Sequence, residues 1–216
     1  MKFTPNGWRT GRFEEFVYLQ RGFDLTKANA RPGDVPVISS SGISYYHDTA
    51  MVDPPGLVTG RKGSLGKVWF VDVPYWPHDT TLWVKHFRDN DPFFVKAFLE
   101  RLDLASFDAA TSVPTLNRNN LHGLRISFPP LPEQKKIAAI LSTWDRAIEL
   151  TEKLIAAKQK RKQALMQQLL TGKVRLPEFR KGKQQFTGEG PTARPTDWRP
   201  YRMKELFAKV TRKNTD

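Results

Sequence analysis

Glu133 to Gly172 reads EQKKIAAILSTWDRAIELTEKLIAAKQKRKQALMQQLLTG, with no Gly or Pro before its last residue. That absence predicts one unbroken helix over 132–171. Pro132 suits its first position and Gly172 the residue just past its end. About 40 residues rising 1.5 Å each make a rod roughly 60 Å long. Ile137, Leu141, Trp144, Ile148, Ile155, Leu165 and Leu169 fall on alternating four- and three-residue steps, with Thr151, Lys158 and Lys162 filling the gaps. The seam is apolar at both ends and polar near Lys158 to Lys162. A domain made of residues 1–131 cannot bury such a stripe along its whole length. The expected solution is a partner helix, from this chain or another. The alternative is a first half packed on its own domain and a second half standing as a solvated stalk.

Before the rod, short apolar runs are punctuated by Gly, Pro and Asp: VPVISSSG, GLVTGRKGSLGKVWFVDVP, TTLWVKHF and LRISFPPL. They are rich in Val, Ile, Phe and Trp and read as strands, VWFVDV at Val68–Val73 among them. A helix is predicted over Pro92–Leu102, with Phe93, Phe94, Ala97, Phe98 and Leu102 sharing a face. Asp91 suits its N-cap and Pro92 its first position. The fold class is therefore α+β: a mixed α/β domain of short strands over 1–131, then one long coiled-coil-forming helix over 132–171. Residues 172–196 carry Pro, Gly and many charges and read as a linker. Residues 197–216 return to the opening of the chain. DWRPYRMKELF at Asp197–Phe207 repeats GWRTGRFEEF at Gly7–Phe16 through Trp198, Arg199, Arg202 and Glu205, with Met203 and Leu206 answering Phe13 and Phe16. Twenty residues make no domain, so this piece reads as the start of a second unit, cut short.

The net charge is +13, which suggests a polyanionic partner. Its distribution is uneven. Residues 1–131 hold 15 Lys/Arg against 13 Asp/Glu, residues 132–171 hold 8 against 4, and residues 172–216 hold 12 against 5. Nucleic-acid contact by the first domain must then come from local clusters. There is no cysteine, which excludes disulfides and thiolate metal sites and suits a reducing cytoplasm. No apolar run is long enough to cross a membrane, and MKFTPNGWRT lacks the apolar core of a signal peptide.

Motifs for catalysis fail on inspection. Asp53-Pro54-Pro55-Gly56 resembles the Asp-Pro-Pro-aromatic loop of amino-methyltransferases, but Gly56 has no ring to stack on a flipped base. Gly60–Lys67, GRKGSLGK, misses the P-loop pattern at both ends, with Arg61 in place of the first Gly and Val68 after the Lys. His47, His78, His86 and His122 lack metal-site spacing. No nucleophile elbow is present, and the carboxylates of the first domain are scattered. The chain is expected to be no enzyme, to hold no metal and to need no cofactor.

FPPLPEQKKIAAIL at Phe128–Leu141, followed by LLTGKVRLPEF at Leu169–Phe179, resembles the DNA-specificity subunit of type I restriction-modification enzymes. VPVISSSGI, GRKGSLGKV and TSVPTLNRNNLHGLRISFPPLPEQ also stand in that family's order. The strongest signal is Leu131-Pro132-Glu133-Gln134 at the opening of the long helix, and the resemblance covers nearly the whole chain. It implies a non-catalytic DNA-binding subunit that scaffolds methyltransferase (modification) subunits and, for restriction, a motor-nuclease subunit. It implies two target-recognition domains in a full-length subunit, each followed by a long helix, the helices packing antiparallel. This sequence departs from that pattern in holding one recognition domain, one helix and the opening of a second domain. The expectation is a homodimer through the unpaired seam, which would read a symmetric, interrupted duplex. A fragment that competes with a full specificity subunit through its helix, and a DNA-modifying enzyme of unusual motif, are the other readings.

Base reading needs donors and acceptors at base edges, with cations on phosphates. Three segments offer them. Gly60–Ser64, continuing to Lys67, brings Arg61, Lys62, Ser64 and Lys67 on a glycine-rich loop, or is simply a basic turn facing water. Ser39–Gly42 brings Ser40 and Ser41, with Tyr45, Tyr46 and His47 beyond, or is an ordinary turn beside a strand. Thr111–Asn119 brings Asn117 and Arg118, in a composition also common in plain turns. Lys27 and Arg31 are further candidates for phosphates.

Overall fold

The computed structural model describes residues 5–107, 113–179, 185–188, 193–202 and 205. Thr111 and Ser112 of the third candidate segment, and Met203 and Leu206 of the terminal repeat, lie outside the described residues. The chain divides into two compact units, Met1–Arg146 and Ala147–Asp216.

In chain order the first unit contains β1 (Arg9–Arg12), α1 (Phe13–Phe16), β2 (Tyr18–Arg21), β3 (Val35–Ser39), β4 (Gly42–His47), β5 (Gly56–Gly60), β6 (Val68–Val71), β7 (Trp76–Pro77), β8 (Thr81–His86), α2 (Pro92–Arg101), α3 (Arg118–His122) and β9 (Arg125–Phe128), then the start of α4 (Leu131–Leu170). An antiparallel sheet runs in the order β2-β8-β5-β6, and a second in the order β4-β3-β7 with β7 parallel to β3. β5 is buried at every position, as expected for a central strand covered on both faces. β1 pairs antiparallel with β9, Arg9 opposite Phe128, which brings the opening Trp-Arg unit beside the strand that precedes the long helix.

The main core gathers around Phe128, whose ring lies 4.9 Å from Phe16, 5.0 Å from Phe94 and 4.8 Å from Phe98. Phe13, Phe16 and Leu121 are fully buried there. Each such side chain contributes about 1.5–3 kcal/mol by leaving water. α2 begins where expected: Asp91 caps it, its Oδ1 accepting from the Phe94 amide at 3.0 Å. Its inward face differs from the expected one. Phe94, Val95 and Leu99 are buried, whereas Phe93 is 47% exposed. Apolar residues surround most of this short helix, so spacing alone does not choose the face. The choice comes from Phe128 and from Phe70, on which Phe93 stacks at 4.4 Å.

α4 starts one residue earlier than the proline rule places it. Its first turns are docked by Gln134, which is buried: Nε2 donates to Asn90 Oδ1 at 2.8 Å and to the Pro129 carbonyl at 2.9 Å, and Oε1 accepts from the Asp91 amide at 3.0 Å. Trp8 Nε1 donates to Glu133 Oε1 at 3.3 Å. Ala138 is buried, and Ile137 packs against the same core. Ile137 is thus withdrawn from the expected seam, because the domain's own core covers it. From Leu141 onward the seam residues Leu141, Trp144, Ile148, Ile155, Leu165 and Leu169 are exposed, as are Ile140, Leu150, Leu154, Met166 and Leu170.

In the second unit the helix ends at Gly172, which takes a φ of +72° and donates its amide to the Leu169 carbonyl at 3.1 Å. A Cβ there would collide with the Pro195 ring, so packing and backbone both require glycine. The segment read as a linker carries local structure. β10 (Phe186–Thr187) pairs antiparallel with β11 (Arg194–Pro195), and Arg175 holds the Asp197 carboxylate at 2.7 and 2.9 Å. The terminal repeat reproduces the opening's cap: the Arg202 amide donates to Glu205 Oε2 at 3.2 Å, as the Arg12 amide donates to Glu15 Oε1 at 3.0 Å.

Candidate nucleic-acid interface

The three candidate segments are brought together. Arg61 and Lys62 donate their amides to the Thr80 carbonyl at 2.8 and 3.1 Å. The Gly63 amide donates to the Pro114 carbonyl at 3.0 Å, and the Leu116 amide donates to the Arg61 carbonyl at 2.8 Å. The Ser40 amide reaches Thr80 Oγ1 at 3.4 Å. Gly60 makes this crossing possible, since a Cβ on it would strike the Ser64 carbonyl and crowd Ser40. Thr80 anchors the first two segments, and the third is tied to the first through Arg61 and Gly63. The loop then leads into β6, not into a helix as a phosphate loop does. Gly56 opens β5 with the Tyr75 ring filling the space a side chain would need, while Asp53, Pro54 and Pro55 before it are exposed.

The candidates differ in what they present. Lys62, Ser64, Lys67, Ser41, Tyr46 and Asn117 are exposed, while Ser40, Tyr45 and Arg118 are half-buried. Lys67 Nζ lies 5.8 Å from the centre of the Trp69 ring. Tyr45 is turned inward: its hydroxyl donates to the Leu25 carbonyl, and burial raises its pKa. Asn117 Oδ1 accepts from the Asn119 amide at 3.0 Å and caps α3. The Ser39 hydroxyl joins those of Ser41 at 3.0 Å and Ser44 at 2.6 Å. As a candidate contact to DNA, Arg61 would face outward. Its Nε instead donates to the Asp79 carbonyl at 2.9 Å, its side chain is 16% exposed, and burial lowers its pKa. Nη2 of Arg61 is buried without a hydrogen-bond partner.

Lys27 is exposed on a short turn. Arg31 lies at the far end of β4 from the serines, its amide donating to His47 Nδ1 at 3.0 Å. Its guanidinium grips both Asp48 carboxylate oxygens, at 2.5 and 3.0 Å. Hydrogen bonds from Arg31 first, and from Thr49 second, hold the Asp48 carboxyl down to about 2.

Three of the histidines serve the fold. His122 Nε2 accepts from the Leu19 amide at 3.0 Å, His47 takes the Arg31 amide, and His78 lies 3.1 Å from both the Leu25 carbonyl and Thr80 Oγ1. Among the described residues His78 also groups with Asp24 and Asp79, but Asp79 is already engaged by Arg21 at 2.9 Å. Arg21 and Asp79 carry no motif, and sequence reasoning passed over both.

Residues 5–158 match the type I restriction modification DNA specificity domain. The type I restriction enzyme MjaVIII specificity subunit of Methanocaldococcus jannaschii is 33% identical over 118 residues, which are 55% of this chain and 26% of that protein. The S subunit of a type I restriction-modification system from M. genitalium superposes with a TM-score of 0.58 at 21% identity, over 78% of this chain and 47% of that one. A chain from a structure describing complex assembly and conformational transition of the type I R-M system superposes with a TM-score of 0.64 at 16% identity, over 78% of this chain and 46% of that one. The chain thus spans about a quarter of the curated relative and under half of either solved chain. No helix among the described residues is long and apolar enough to cross a membrane. With a mixed-sheet domain feeding one long helix, and a match over residues 5–158, the chain belongs to the type I restriction modification DNA specificity domain family.

Proposed function

We propose that the first unit reads one half of a bipartite double-stranded DNA target. The observation that carries this reading is the joining of three separate segments, two at Thr80 and the third through Arg61 and Gly63, with Lys62, Ser64, Ser41 and Asn117 exposed on them. Cations suit phosphates there, and hydroxyls and amides suit base edges. The protein acts without catalysis of its own. It scaffolds type I modification subunits, which carry the methyltransferase chemistry in the cytoplasm, and for restriction a motor-nuclease subunit.

The exposed seam of α4 supports self-association. Two copies pairing antiparallel about a two-fold axis bury the same surface from each and close as a dimer. The four-three steps admit registers seven residues apart, and centring the stripe from Leu141 to Leu165 on the axis selects one. Leu141 faces Leu165, Trp144 faces Lys162, Ile148 faces Lys158 and Thr151 faces Ile155, with the axis beside Lys153. The lysine stems lie on apolar rings and branches while their ammonium groups reach water. Such a dimer reads a symmetric, interrupted sequence.

Mapping methylated sites in cells that carry this chain with a type I modification subunit tests the reading. Split palindromic sites are expected. Asymmetric sites would show pairing with a different half, and no site-specific methylation would remove the DNA-reading role.

A further inference from the structure

Arg21 ends β2, and its side chain is 56% exposed. Nη2 donates to Asp79 Oδ2 at 2.9 Å. Asp79 is itself held from behind. Arg61 Nε donates to its carbonyl at 2.9 Å, Arg61 Nη2 stands 3.9 Å from the same Oδ2, and His78 Nδ1 lies 3.1 Å from Oδ1. Arg61 is fixed in turn on both sides, by Thr80 and by Leu116. Gly22, next to Arg21, donates its amide to the Thr81 carbonyl at 3.1 Å, and a Cβ on it would collide with the carbonyls of Pro77 and His78. Arg21 therefore emerges beside Asp79 and Thr80, where Ser40 joins the Arg61 loop that in turn holds the third segment.

A cation that only neutralises phosphate gains little from such support, because charge attraction tolerates a loose side chain. A guanidinium fork held in one plane by a carboxylate suits a planar pair of acceptors, and O6 and N7 of guanine in the major groove are such a pair. We propose that Arg21, oriented by Asp79, reads a guanine of the half-site, and that Arg61 is a positioning residue behind them instead of a phosphate contact. This rests on the DNA-reading function proposed above.

Selection from a library of randomised duplexes, using the full chain bound to a type I modification subunit, tests it. The unaltered protein selects a G·C pair at a fixed place in each half-site, preferred on the order of tenfold to a hundredfold over other pairs. Arg21→Ala and Arg21→Lys lose that preference and keep the others, since an ammonium has no fork. Arg61→Gln and Asp79→Asn lose the same position. Lys62→Ala weakens binding to all sequences and leaves the selected pattern intact. An unchanged pattern with Arg21→Ala overturns the proposal while the DNA-reading role stands. An unaltered protein that selects no sequence removes both. Should Arg61→Gln fail to fold, the exposed Arg21 variants still decide.

Discussion

Trp144→Ala is the sharpest test of the helix as a joint. The residue is 66% exposed in the single chain. An indole presents on the order of 200 Å², so covering the open two-thirds removes about 130 Å² from water and is worth about 3 kcal/mol per copy. The two-fold axis uses the residue twice, which sets an upper bound of about 6 kcal/mol for the pair. The ring edge stays wet beside Lys162 and alanine retains some packing, so about half of this is expected to be lost. A loss of about 3 kcal/mol raises the dimer Kd on the order of 100-fold. Sedimentation velocity over a concentration series reads the change directly. Because Trp144 lies outside the buried core, the variant's circular dichroism and thermal melt should match those of the unaltered protein. A monomer at tens of micromolar for the unaltered protein, or an unchanged Kd for Trp144→Ala, refutes the reasoning.

The chain has no cysteine, so Leu141→Cys combined with Leu165→Cys introduces the only thiols; mild oxidation should yield a covalent dimer on a non-reducing gel, whereas Ile148→Cys with Leu165→Cys should not. Gln134→Leu strips partners from Asn90, Asp91 and Pro129 at the root of α4; a loss of about 2–4 kcal/mol is expected, or about 5–10 °C in Tm by calorimetry. Burial holds the His122 pKa below its ordinary 6.5, with Glu14 opposing and Arg118 adding to the shift. The unfolded chain therefore takes up that proton first, and stability falls as pH drops from about 6.5 through the lower folded value. His122→Gln should flatten that part of a Tm-against-pH curve while keeping an acceptor for the Leu19 amide.

Much of this molecule was legible because its signals are local. The rod from Leu131 to Leu170 announces itself through the absence of Gly and Pro and through its four-three stripe, and Asp91 and Gly172 mark helix ends by chemistry that acts within one turn. The repeat of Trp8, Arg12 and Glu15 at Trp198, Arg202 and Glu205 was visible as letters, and the same amide-to-carboxylate cap forms at both places. The family resemblance rested on the same kind of contiguous phrase.

Direction was not legible. GRKG states that Arg61 and Lys62 are adjacent cations. It does not state that one turns in to the Asp79 carbonyl while the other faces water. Ile137 and Leu141 share a stripe, yet only the first is taken by the domain's core. Arg21 and Asp79 are 58 residues apart and meet because β2 pairs with β8, which sets Arg21 opposite Leu82 just beyond Asp79. Spacing and capping depend on neighbours in the chain, so the sequence by itself determined the helix, the short strands and the repeat. Which polar groups face one another depends on strand register between distant segments, and only the tertiary structure decided that.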